Sequence, residues 1–190
     1  MEQRDRSTAK SAPARAKWRK SNVRPERFLI AFAVCVAIAF GLLFAPFMRP
    51  LTATFSDRLT EISGALIGAA GGRVQVEGAV LRAPSSGFAI EMKDGCNGVN
   101  VMALLWSAML AFPASWVWKA KGVLMGTAAI QVINLVRFIS LFYLGQYSIA
   151  WFDFAHLYLW ENLIMADALV VFWLWVSPLL RDAGVPDAAR

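Results

Sequence analysis

Residues 28–47, FLIAFAVCVAIAFGLLFAPF, decide the fold. Twenty residues without a charge make a helix of about 30 Å, the thickness of a bilayer's hydrocarbon core. The run is too long for the apolar region of a cleaved leader, and no small-x-small cleavage site stands clearly after it, so it reads as a retained first span. The proline pair at 46 and 50 ends it. Composition agrees: 58% of the 190 residues are apolar and the mean hydropathy is +0.51, which excludes an ordinary soluble domain.

On the amino-terminal side, residues 1–27 hold nine Lys or Arg against three acidic residues and account for the whole net charge of +6. Beside a span, such an arm is a topology signal rather than a nucleic-acid surface, so no nucleic-acid partner is expected. The arm is too poor in aliphatic residues to fold alone and reads as a disordered cytoplasmic tail lying on anionic lipid.

On the carboxyl-terminal side, three further apolar segments follow at about 97–116, 122–144 and 156–176. The expectation is an all-α integral membrane protein of about four transmembrane helices. Its membrane domain covers 28–180, and 181–190 form a second cytoplasmic tail. Between the first two spans, an outer segment (48–95) begins with an amphipathic helix over 53–70. There Phe55, Leu59, Ile62 and Leu66 recur at steps of four, three and four, a pattern suited to the membrane interface. Gly71-Gly72 breaks that helix. Alternating stretches at 73–77, 79–82 and 88–92 predict a small β hairpin on the outer side.

Basic residues orient the chain. With the tail inside, Lys119, Lys121 and Arg181 also fall inside, while 48–95 carries five basic and five acidic residues and faces out. Trp116, Trp118, Trp173 and Trp175 then mark the inner interface, and Tyr143, Tyr147 and Trp151 the outer one. The two cysteines, Cys35 within the first span and Cys96 at the end of the second, are too far apart to bridge and read as free thiols.

In this threading Cys96 opens the second segment from outside, Arg137 lies about two turns below the outer end of the third, and His156 opens the fourth. Seven helical residues rise about 10 Å, so all three share one depth. Depth alone does not bring them side by side.

Each residue has a chemical and a plain reading. Cys96 sits in Lys93-Asp94-Gly95-Cys96-Asn97-Gly98-Val99-Asn100. If Asp94 or Asn97 caps the helix, the sulfur lies by an amino-terminal turn that favours thiolate; otherwise it is a small apolar filler. Arg137 inside a span costs on the order of 2.5 to 3.5 kcal/mol. It is either an anchor for a carbonyl or oxyanion, with Asn134 as a second donor, or a headgroup-seeking or ion-paired residue, with Glu161 at similar depth. His156 titrates near neutrality and has Asp153 close enough to orient its ring; the plain alternative is an idle interfacial histidine. One His and two distant Cys fall short of a zinc site, so no metal or other cofactor is expected. Glu161 and Asp167 are intramembrane acids that could pair with Arg137 or carry protons.

Three readings follow: an enzyme acting on an acyl bond, a small membrane assembly or sensor protein with an Arg137–Glu161 ion pair, and a transporter using Arg137, Glu161 and Asp167. No inverted repeat supports the third.

At these residues the chain resembles the exosortase/archaeosortase family of multi-pass membrane cysteine proteases and transpeptidases. The Cys-x-Gly pattern appears as Cys96-Asn97-Gly98, the Asn-x-x-Arg pattern as Asn134 to Arg137, and the histidine opening the next helix as His156. The resemblance covers roughly 90–160. The chain is shorter than typical members, as in the subtype called exosortase H, and Asn97 stands where larger enzymes often have Ser or Ala.

The resemblance implies catalytic roles for Cys96, Arg137 and His156, with Asn97, Gly98, Asn134, Asp153 and Glu161 in support. It implies substrates that are exported proteins ending in a short motif, one transmembrane helix and a basic cluster. Cleavage would pass through a Cys96 thioester, in a multi-pass protein of the bacterial inner membrane whose site faces the periplasm.

Overall fold

The computed structural model describes residues 25–182. The expected tails lie outside the described residues, except that Pro25 to Arg27 and Arg181 to Asp182 are helical. The chain runs α1 (Pro25–Leu43), a 3₁₀ turn (Pro46–Met48), α2 (Arg49–Ala69), β1 (Gln75–Glu77), β2 (Val80–Arg82), β3 (Ala89–Glu91), α3 (Val99–Ala111), α4 (Trp116–Tyr147), α5 (Ile149–Phe154), a π turn (Ala155–Leu159) and α6 (Trp160–Asp182).

The protein is a mostly helical membrane protein, with three helical runs long and apolar enough to cross a bilayer: α1, α4, and the continuous run Ile149–Arg181. The segment expected as the second of four spans, 97–116, is helical only over the 13 residues of α3. That is about 20 Å, short of a 30 Å hydrocarbon core. The shortening has local causes. Gly98 at φ 77 precedes the first turn, and Phe112, at φ −71 and ψ 139, is held extended ahead of Pro113. Residues 122–144 lie inside the longer α4, whose 32 residues reach about 48 Å and exceed the core unless tilted.

Helices α3, α4 and α6 pack together, and α1 lies on α3 with no residue fully buried. Towards the Trp-rich end the core is Met102, Leu105, Met109, Ile130, Ala168, Trp175 and Val176. There Trp175 Nε1 donates to the Trp118 carbonyl at 3.1 Å and Trp118 Nε1 donates to the Trp175 carbonyl at 3.4 Å. Of the four tryptophans expected at one interface, Trp116 and Trp173 are exposed, while Trp118 and Trp175 turn inward to each other.

At the opposite end, α2 and the sheet cover α4 around Leu59, Ile67, Leu81, Ala83, Met92, Phe138 and Phe142. The expected hairpin is a three-stranded antiparallel sheet in the order β1-β2-β3. Gln75 pairs with Arg82, and Arg82 in turn with Ala89. On helix α2, Ile62 and Leu66 are 46% and 49% exposed, which leaves them free to meet the membrane interface, and the side buried in the protein is Ser56, Leu59, Thr60, Ser63, Gly64 and Ile67. Small residues let the helix approach the sheet closely. The Thr60 and Ser63 hydroxyls donate to the carbonyls of Ser56 and Leu59 at 2.9 and 2.8 Å, so neither is buried unpaired. Phe88 clamps the sheet to the helices. Its ring stands 6.4 Å from that of Phe142 and 5.9 Å from that of Phe152, in space that a side chain at Gly145 would fill.

Candidate active site

Below the sheet a cavity of about 420 Å³ is lined by residues from the β3 region, the loop before α3, α4, α5 and the π turn. Cys96, Arg137 and His156 all face it, so residues 60 positions apart in the chain meet in one space. Asp153 shares the wall, and Phe88, Ile90, Phe138 and Phe152 supply its apolar part.

Arg137 is only 4% exposed on α4. Its Nη2 stands 3.5 Å from His156 Nδ1 and 3.7 Å from Glu161 Oε2. A guanidinium can only donate, so a hydrogen bond across this contact requires the tautomer in which Nδ1 accepts. Glu161 is no buried counter-ion: its side chain is 65% exposed and does not line the cavity.

His156 does not open its helix. It lies in the π turn inside the continuous run from Ile149, where one extra residue per turn widens the backbone and redirects side chains. Its ring stacks on Phe152, with centroids 5.6 Å apart and planes at 22°. The contact to Nδ1 comes from Arg137 rather than from the expected Asp153.

Cys96 lies three residues ahead of α3, outside its first turn, in a turn closed by its own N–H donating to the Lys93 carbonyl at 2.9 Å. Gly95 and Gly98 flank it at φ 92 and 77, a region costly for residues bearing a Cβ. At Gly98 space is also short: a Cβ there would come 3.1 Å from Gln131 Nε2 and 3.6 Å from Asn134 Cγ. The glycine of the Cys-x-Gly pattern therefore seats the thiol loop directly on α4.

Asn97, expected in a substrate-binding or supporting place, ties the loop to α2 and α4 and does not line the cavity. Its Nδ2 donates to Ser56 Oγ at 3.1 Å, its Oδ1 accepts from the Val99 N–H at 3.1 Å, and its carbonyl accepts from Gln131 Nε2 at 3.1 Å. It also lines a second, polar cavity on the far side of the loop, with Arg49, Thr52, Asp94 and Asn100. Asn134 is fully buried against Gly98, and among the described residues neither its oxygen nor its nitrogen has a hydrogen-bond partner. Such a group carries a desolvation penalty of about 1 to 3 kcal/mol. Among the described residues no group of three or more His, Cys, Asp or Glu side chains is arranged to hold a metal ion.

Residues 24–174, well over half of the chain, match the family described as transmembrane exosortase. The chain belongs to the transmembrane exosortase family. No curated protein and no solved structure matches it. In this exosortase the residues that sequence reasoning missed are Ser56 and Gln131, which hold Asn97, and Phe88, Ile90 and Phe152, which wall the cavity. Ser56 and Gln131 left no signal, since a polar residue on a helix declares no partner across 34 or 41 positions. Alternation did single out 88–92, without indicating what the strand would border.

Proposed function

We propose that this exosortase is a membrane cysteine protease or transpeptidase that cleaves the carboxyl-terminal sorting signals of exported proteins. What supports the reading is the sharing of one 420 Å³ cavity by a thiol, a nearly buried guanidinium and an imidazole, in a chain of this family. The substrate's own transmembrane helix holds its motif at the membrane surface and raises its local concentration at the site. In this reading the cavity faces the periplasm of a bacterial inner membrane, as the basic residues predict.

The cycle begins when the scissile carbonyl enters beside Arg137. The guanidinium turns to the carbonyl oxygen and releases His156 Nδ1, which takes the Cys96 thiol proton. The thiolate adds to the carbonyl carbon, and Arg137 stabilises the oxyanion. Collapse breaks the carbon–nitrogen bond, His156 returns its proton to the leaving amine, and a Cys96 thioester remains. Water or an acceptor amine then attacks the thioester, releases the product and restores the thiol. Asn134, one turn from Arg137, does not line the cavity, so of the two expected donors Arg137 is the one that meets the oxyanion.

The test is coexpression with an exported protein ending in a motif, a single helix and a basic cluster. Wild type yields a shortened product and Cys96→Ala yields none; full processing by Cys96→Ala rejects the nucleophile. The Arg137–Glu161 contact favours a second reading, a non-catalytic membrane assembly or sensor protein. In that case Cys96→Ala is silent and Arg137→Ala is lost from the membrane.

A further inference from the structure

The edge of β3 is the part of the cavity that catalysis leaves unused. Phe88, Ala89, Ile90 and Glu91 all line the cavity. Successive side chains of a strand point to opposite faces, so a space that meets four successive residues meets the strand along its edge. That edge is open: the sheet order is β1-β2-β3, and β3 pairs only with β2.

The register shows which main-chain groups face outward. The Ala83 N–H donates to the Phe88 carbonyl at 2.8 Å and the Met92 N–H to the Ala79 carbonyl at 2.8 Å. Antiparallel ladders alternate, so Phe88, Ile90 and Met92 direct their main-chain groups to β2. Ala89 and Glu91 direct theirs away from it, toward the cavity. The Glu91 carbonyl accepts from the Lys93 N–H at 3.2 Å, which leaves the Ala89 N–H, the Ala89 carbonyl and the Glu91 N–H as the row on offer. Five residues beyond Glu91 the same backbone reaches Cys96, so a chain laid along this row ends beside the thiol.

We infer that the free edge of β3 binds the extended segment of the substrate as a fourth strand, through main-chain hydrogen bonds, and so delivers its carbonyl to Cys96. The inference rests on the proposed function for the identity of the substrate. The occupant is an extended peptide rather than a helix, because an edge with a two-residue repeat of donors and acceptors matches only an extended backbone. Main-chain pairing supplies affinity that tolerates sequence differences. Selectivity then falls to the apolar wall of Phe138, Leu141 and Phe152, which meets alternate side chains of the bound strand.

The test uses the full-length protein in a Cys35→Ser background, so that Cys96 is the one thiol. The probe is acetyl-Val-Ala-Val-Ala chloromethyl ketone, and chloroacetone serves as the same reacting group without a peptide. In both, the Cys96 sulfur displaces chloride, forms a thioether and releases a proton. The readout is the ratio of the two alkylation rates, normalised to the ratio for free cysteine. Wild type prefers the peptide. Ala89→Pro removes an outward N–H without touching the β2 ladder, and a proline is tolerated at such an edge position. It lowers the preference about tenfold, as the loss of one hydrogen bond implies, and leaves the chloroacetone rate unchanged.

The same loss is expected for wild type with a peptide methylated at its strand-facing amide nitrogens, a comparison that needs no variant to fold. Absence of any peptide preference in wild type, or a preference that survives either Ala89→Pro or the methylated peptide, overturns the inference. These rates do not depend on turnover. A failure of the proposed function, seen as processing by Cys96→Ala, is therefore distinguishable from a failure of strand docking.

Discussion

The two ends of the bundle formed by α3, α4 and α6 are built on opposite plans. Toward the Trp-rich end the helices meet through Met109, Ile130, Trp175 and Val176, and Trp118 and Trp175 satisfy each other's indole N–H groups. From mid-helix toward the cavity, Gln131 Oε1, both amide atoms of Asn134 and Asp167 Oδ2 are buried without hydrogen-bond partners among the described residues, and Arg137 is nearly buried. One end maximises packing, while the other keeps polar groups that lower stability. Intramembrane polar groups that lower stability mark a candidate functional region.

Substitutions at the two ends should therefore separate stability from activity. The largest effect is expected at Arg137→Ala and His156→Ala. Each should reduce substrate processing by about a hundredfold or more, as loss of an oxyanion donor or a general acid does, while the amount of protein in the membrane holds steady. Immunoblots for product and for the chain itself check both halves. Disappearance of the chain would make the cavity end structural too and dissolve the contrast.

At the other end, Trp175→Ala should cost about 3 to 5 kcal/mol, since it empties a site packed by Phe112 and Phe172 and removes the indole N–H that donates to the Trp118 carbonyl. A large fall in the thermal midpoint in detergent is expected, with the alkylation rate of Cys96 by a small thiol reagent unchanged below that midpoint. Gly98→Ala lies between the two plans. Its left-handed backbone costs about 1 to 2 kcal/mol, and the contact with Gln131 displaces the thiol loop, so processing should fall by more than stability does. The smallest effect is expected at Ile62→Gln, within about 0.5 kcal/mol by denaturant or thermal titration, because that side of α2 is exposed. A loss as large as that of Leu59→Ala would mean that Ile62 packs against the protein and would reverse the observed burial.

Much of the candidate site was legible because its residues are anomalous in their surroundings. Arg137 in an apolar run, a lone His156 and a glycine-flanked Cys96 each stand out against a hydrophobic background, and all three line one cavity. Element boundaries were less legible. Apolar composition continues through Phe112 and Pro113, so a hydropathy reading joined α3 to the start of α4 and counted a span that the proline interrupts. The protein-facing side of α2 was not legible either. In a chain surrounded by lipid, apolar side chains such as Ile62 and Leu66 are not driven inward, and small residues that pack closely take the buried side instead.

Sequence alone determined that the chain lives in a membrane, since twenty uncharged residues have no other stable place, and that its reactive groups share a depth, since helical rise is constant. Tertiary structure decided which of those groups meet, that His156 turns toward Arg137 from a π turn, and that Asn97 serves as a tie between α2 and α4. The reason is that rise along a helix is a local property, written residue by residue. Rotation about the helix axis and the pairing of distant polar atoms are settled only when whole surfaces pack.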